Sequence, residues 1–198
     1  MTQPPLRLGI LGSGKGSNFR AIADAISAGT LNAEVALVLS DVQDAGILRL
    51  AHERGYPAQF VPPGKYRSKL EPVVEAWVVD LLRGAGVELV VLAGYMRMIK
   101  APLLEAFPNR IINIHPSLLP QFPGLDAWRQ AIDSGVTESG CTVHYVDGGM
   151  DTGPIIAQRR VPVLPGDTPE TLHARIQEQE HQLYPQVIQQ FAEKLRVA

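Results

Sequence analysis

LRLGILGSGKGSN, residues 6–18, decides the fold, because a short apolar run ends in a glycine-rich turn and passes directly into a helical stretch. Strand, glycine turn and helix in that order open a βαβ unit. The turn also suggests a ligand. Unpaired N–H groups at a helix start, with the helix dipole behind them, favour an anion, and a phosphate is the obvious guest. The spacing is not that of a Walker A loop. As a dinucleotide fingerprint it is imperfect, since Ser17 occupies the third glycine position and Asp41 comes later than the expected acidic residue. A tight turn that needs glycine only for its backbone angles is the plain alternative.

The same rhythm continues outward. Residues 35–39 read as a second buried strand, 45–54 as a helix stopped by Gly55, and 58–61 as a short third strand. Apolar residues then recur at helical spacing over 66–83 until Gly84 and Gly86. The run LVVLA at 89–93 is apolar throughout, as expected of a central parallel strand covered on both faces. Residues 110–114 form the next strand. Beyond it the pattern changes: 141–146 and 155–163 are strand-like runs joined by a compact glycine-rich loop, which predicts an antiparallel hairpin. A long helix capped by Asp167 or Thr168 closes the chain, and Pro185 within it is expected to kink or interrupt it. The predicted class is α/β: a Rossmann-like, mostly parallel central sheet with helices on both faces, a C-terminal antiparallel hairpin and a long final helix, in one domain over residues 1–198.

Within IINIHPSLLPQFPG, residues 111–124, Asn113 and His115 share one face of a strand pattern, surrounded by Ile111, Ile112 and Ile114. Burying an amide and an imidazole costs free energy unless they have partners. A histidine there suits proton transfer near neutral pH, and an asparagine can donate to a developing oxyanion. Asp151, in GGMDTGP, could supply a charge, although aspartate is also common in such turns. His144 alternates with Thr142 and Val146 on a strand face, where it could touch the site, although a structural histidine is the plainer reading. Gln177 and Glu180 are i, i+3 neighbours on the last helix, where an exposed surface is the plain reading.

Composition narrows the function. The net charge is −2 and the Lys and Arg residues are scattered, which gives no general attraction to nucleic acid. No apolar run approaches a membrane span. The start MTQPPLRLGILG lacks a signal-peptide profile, and Cys141 is the single cysteine, so the expectation is a cytoplasmic protein acting on small molecules, as a monomer or homodimer. No metal is expected: the histidines at 52, 115, 144, 173 and 181 include no i, i+4 pair, and one cysteine cannot build a thiolate cage.

GSGKGSN, LAGYMRMI, NIHPSLLPQFPG, VHYVDGGMDTGPIIAQ and QEQEHQLYP together resemble the phosphoribosylglycinamide formyltransferases, folate-dependent enzymes of purine biosynthesis, over nearly the whole chain. The resemblance implies transfer of a formyl group from 10-formyltetrahydrofolate to the amine of 5-phosphoribosylglycinamide. It implies a phosphate-binding half over roughly residues 1–100 and a catalytic, folate-binding half after it. By resemblance, Asn113, His115 and Asp151 are catalytic. Gly16, Ser17 and Asn18 hold the substrate phosphate, Glu180 the ribose hydroxyls, and Gln177 approaches the phosphate end. Met96, Arg97, Met98 and Ile99 line the folate cleft with Asn113, and Asp147, Gly148, Gly149, Met150 and Asp151 form its other wall. Arg67 matches a residue that meets the folate's glutamate tail. Two alternatives stand beside this one: hydrolysis of 10-formyltetrahydrofolate, which needs no phosphate site, and a non-catalytic nucleotide-binding module, which has no use for Asn113, His115 or Asp151.

Overall fold

The computed structural model describes residues 3–197. Among these residues seven strands form one sheet in the order β3-β2-β1-β4-β5-β6-β7. These are β1 (Leu6–Leu11), β2 (Ala33–Ser40), β3 (Ala58–Phe60), β4 (Leu89–Leu92), β5 (Ile111–His115), β6 (Glu138–Tyr145) and β7 (Ile155–Pro162). The first five run parallel, while β6 is antiparallel to β5 and β7 to β6. The continuous burial of β4 follows from helices on both faces, as its apolar sequence requires.

Among the described residues six helices complete the fold: α1 (Ser17–Ser27), α2 (Gly46–Glu53), α3 (Pro72–Gly84), α4 (Ala101–Ala106), α5 (Ala127–Asp133) and α6 (Pro169–Val197). One apolar cluster joins Phe19 and Ile22 of α1, Ile47 of α2 and Ile176, Tyr184 and Ile188 of α6 to Ile112 and Ile114 of β5. A second, on the opposite face, joins Val78 and Leu82 of α3 and Leu103 of α4 to Val90 and Ile111. Asn113 and His115 follow Ile111 at period two, so they belong to the α3–α4 side at the strand's carboxyl end.

Strand order reverses between β1 and β4, which lie side by side while their connections leave to opposite sides. In open α/β sheets that reversal opens a crevice at the carboxyl ends of the strands. The glycine loop after β1, the segment after β4 and the end of β5 all border it.

Several details differ from the expectation. The helix predicted over 66–83 begins only at Pro72, which pre-sets the first turn and disfavours helix in the residue before it. The carbonyls of Tyr66 and Arg67 instead accept hydrogen bonds from Arg97, and Lys69 pairs with Met98 in an isolated parallel bridge. Pro185 does not interrupt α6; it is buried and the helix runs through it. Two short helices, α4 and α5, carry no clear periodic signal and were not expected. Thr168 caps α6 by accepting from the Thr171 N–H at 3.3 Å, and the neighbouring Asp167 accepts from Arg175 at 2.7 Å and 2.9 Å.

Candidate active site

The end of β5 carries the predicted pair, and the antiparallel register adds two partners on the same face: Asn113 stands opposite His144 and His115 opposite Thr142. His144 is therefore part of the cluster, not a remote structural histidine. Its Nδ1–H donates to the Tyr145 carbonyl at 2.8 Å, which leaves Nε2 to accept from the Asn113 amide at 3.2 Å. Periodicity along β6 already put His144 on one face with Thr142. Only the pairing register puts that face beside Asn113.

Asp151 enters from the loop between β6 and β7. Its Oδ2 lies 3.4 Å from Nδ1 of His115 and its Oδ1 3.6 Å from Nε2 of His144, so one carboxylate serves two imidazoles. The backbone N–H of Gly124 donates to the same Oδ2 at 2.9 Å. Asp151 adopts a left-handed backbone, φ 55°, which aspartate tolerates better than most residues. The loop can fold back this tightly because Gly153 lies against the Tyr145 carbonyl; a Cβ there would sit 1.8 Å from that oxygen.

The loop after β5 holds the other side of the cluster. Phe122 O accepts from Nε2 of His115 at 2.8 Å. Thr142 fixes that loop by donating to Ser117 O at 2.7 Å and accepting from Leu119 N–H at 3.0 Å, and Gln158 donates to Leu119 O at 2.9 Å. The Leu119–Pro120 peptide is cis. Trp128 of α5 stacks on His173 of α6 with ring centroids 3.7 Å apart, anchoring the far end of the segment.

Their surroundings shift both His115 and Asp151 downward, for different reasons. Burial pushes the His115 imidazole below its ordinary value, and the nearby Asp151 carboxylate and the Phe122 carbonyl offset only part of that. For Asp151 burial works upward, but the neighbouring His144 and His115 imidazoles and the Gly124 N–H together hold the carboxyl below the usual range. The cluster holds the Asp151 carboxylate between two imidazoles, and for His115 that carboxylate opposes the effect of burial.

At the glycine loop, Gly16 caps α1 with φ 82°, a left-handed turn that suits glycine. No side chain caps the helix, and the first-turn N–H groups have no partner within it. Asn18 and Glu180 meet here: the Asn18 amide donates to Glu180 Oε2 at 3.3 Å, while Asn18 Oδ1 is buried without a partner. Glu180 is only 4% exposed, on the apolar stripe of α6 between Ile176 and Leu183, so the plain reading of an exposed helix surface is corrected. Burial pushes its carboxyl up to about 7 against the opposing Asn18 hydrogen bond. Gln177 lies one turn earlier and is half-buried.

The two loops expected to form a cleft face each other across the end of the sheet. Lys100 Nζ donates to Gly148 O at 3.0 Å, joining them. Met96 and Met150 are exposed, Met98 is half-buried, and Asp147 shapes its own loop by accepting from Gly149 N–H at 3.0 Å and Thr152 Oγ1–H at 2.7 Å. The Ile99 side chain is buried in the core, which leaves its backbone for the cleft. The Arg97 guanidinium is likewise committed elsewhere, with Nε donating to Asp41 at 2.6 Å. Arg67 is exposed, and its carbonyl is tied to Arg97. No group of His, Cys, Asp and Glu that could hold a metal ion occurs among the described residues, and no helix among them is long and apolar enough to cross a membrane.

Comparison with known proteins adds an independent line. A family model described as formyl transferase matches residues 6–188. A phosphoribosylglycinamide formyltransferase of Bacillus subtilis is 45% identical over 184 residues, covering 93% of each chain. A trifunctional purine biosynthetic protein of Drosophila pseudoobscura is 47% identical over 195 residues; the match covers 95% of this chain and 14% of that longer protein. The crystal structure of glycinamide ribonucleotide transformylase 1 from Symbiobacterium toebii superposes with a TM-score of 0.92 at 49% identity, covering 98% of this chain and 90% of the other.

Proposed function

The chain belongs to the formyl transferase family, and from that premise we propose that it moves the formyl group of 10-formyltetrahydrofolate to the amine of 5-phosphoribosylglycinamide. The products are formylglycinamide ribonucleotide and tetrahydrofolate, in the de novo route to purines. The observation that carries this reading is the placement of Asp151 between His115 and His144, on the Asn113 face of β5, with a separate anion-ready helix start across the same crevice. A hydrolase has no use for the second feature, and a nucleotide module has none for the first.

Chemistry follows from charge movement. The neutral glycinamide amine attacks the formyl carbon; the carbonyl oxygen becomes negative and the attacking nitrogen positive. The new C–N bond forms, the bond from the formyl carbon to folate N10 breaks, and the proton lost by the amine ends on N10. Asn113 has two amide N–H donors and spends one on His144, leaving one for the oxyanion, where a single hydrogen bond is worth roughly 3 kcal/mol. His115 supplies the second donor. Because its Nε2–H is engaged by Phe122 O, that carbonyl must yield to the substrate oxygen, or the ring must turn. Asp151 stabilises the imidazolium and relays the amine proton through a water. Binding supplies the rest by turning a bimolecular attack into an oriented one. Gly16, Ser17 and Asn18 hold the phosphate, Glu180 the ribose hydroxyls, and Gln177 the phosphate end. Met96, Met98 and Met150, with the backbone of 95–99 and 147–151, form a slot for the pterin, whose polar edge needs backbone groups within apolar walls.

The test is a spectroscopic assay of purified protein with 10-formyltetrahydrofolate, with and without phosphoribosylglycinamide. Formyl loss only in the presence of the amine is expected. Loss without it would identify a hydrolase, and loss in neither case would leave the binding module.

A further inference from the structure

Asp41, directly after β2, is buried at 8% exposure, and both of its carboxylate oxygens are occupied. Oδ1 accepts from the Ser13 hydroxyl at 2.5 Å and Oδ2 from Arg97 Nε at 2.6 Å. The Ser13 oxygen in turn accepts the Met96 N–H at 2.9 Å. Arg97 passes the link on, donating from Nη1 to the carbonyls of Tyr66 and Arg67 at 2.6 Å and 3.0 Å. A single buried carboxylate thus joins the glycine loop, through Ser13, to the segment after β4 and to the irregular stretch before α3.

We propose that Asp41 is a positioning residue for the folate side of the cleft, fixing the backbone of residues 95–98 against the glycine loop through Ser13 and Arg97. The assignment rests on the reading of these two loops given above. The physical reason is that a pterin edge is recognised by backbone N–H and C=O groups outside any ladder, so their orientation must be set by something else. Spending the Met96 N–H on Ser13 leaves the remaining groups of the segment in one arrangement. Arg97 cannot do this alone. Without Asp41 its largely buried guanidinium loses its counter-charge, and moving it towards solvent releases the carbonyls of Tyr66 and Arg67.

The experiment is steady-state kinetics of Asp41→Asn and Ser13→Ala, varying each substrate with the other saturating. Asp41→Asn is expected to raise the KM for 10-formyltetrahydrofolate about tenfold or more, and Ser13→Ala in the same direction by less, with the KM for phosphoribosylglycinamide within about twofold of wild type. Ser13→Ala leaves no unpaired buried charge and carries the test if Asp41→Asn does not fold. Folate KM values within about twofold of wild type in the folded variants would overturn the assignment, and so would equal rises in both KM values. Absence of transfer by the wild-type protein would instead overturn the function proposed above, and this assignment with it.

Discussion

Nε2 of His144 and Oδ1 of Asp151 stand 3.6 Å apart, so the carboxylate expected to serve His115 is shared with a second imidazole. That sharing fixes the position of both Asp151 and the Asn113 amide. His144→Ala removes the acceptor for Asn113 and one of the groups that keep Asp151 ionised. Turnover at saturating substrates is expected to fall about ten- to a hundredfold with the fold intact by circular dichroism. Turnover within twofold of wild type would return His144 to a structural role.

His115→Ala should cost more, about two to four orders of magnitude in kcat, because it removes a donor to the oxyanion itself. Asp151→Asn should be similarly damaging and carries a signed titration effect. The carboxylate is what partly offsets the burial that lowers the His115 imidazole, so the variant should titrate at still lower pH. Proton NMR of the imidazole resonances checks this, and an unmoved His115 midpoint would remove Asp151 as its electrostatic partner.

Glu180 gives a stability prediction with the opposite sign to an ordinary ion-paired carboxylate. Its folded-state value of about 7 lies above the ordinary glutamate value of 4.5, so the folded protein binds the proton more tightly than the unfolded chain. The group's contribution is fully present below 4.5 and is lost as pH rises towards and through 7. Glu180→Gln should therefore match wild type in thermal stability near pH 4.5 and exceed it above pH 7. Equal melting temperatures of the two proteins across that range would contradict the burial argument.

Tyr184 is fully buried, and its hydroxyl lies 2.9 Å from Leu92 O at the end of β4 and 3.1 Å from Ile112 O in the neighbouring β5. Tyr184→Phe leaves the packing and strands those carbonyls. A loss of about 1–3 kcal/mol is expected by urea denaturation, with the slope unchanged.

The parallel half of the sheet was legible because a strand covered on both faces has to be apolar throughout, as LVVLA is, and because glycine and proline mark the ends of elements. The short helices were not legible, since six or seven residues hold fewer than two full turns and no periodicity can accumulate. The late start of α3 was hidden for a different reason: Arg97, far along the chain, claims the carbonyls that residues 66–71 would have used as helix.

By itself the sequence determined the strand–glycine turn–helix opening, the shared face of Asn113 and His115, and the family resemblance, all local consequences of residue order. Only the tertiary structure decided that Asp151 reaches two histidines, that Glu180 is buried against Asn18, and that Asp41 holds Arg97. Each of those depends on strand register or on a loop folding back, and a hydrogen bond or ion pair forms only where distant segments are brought within a few ångströms.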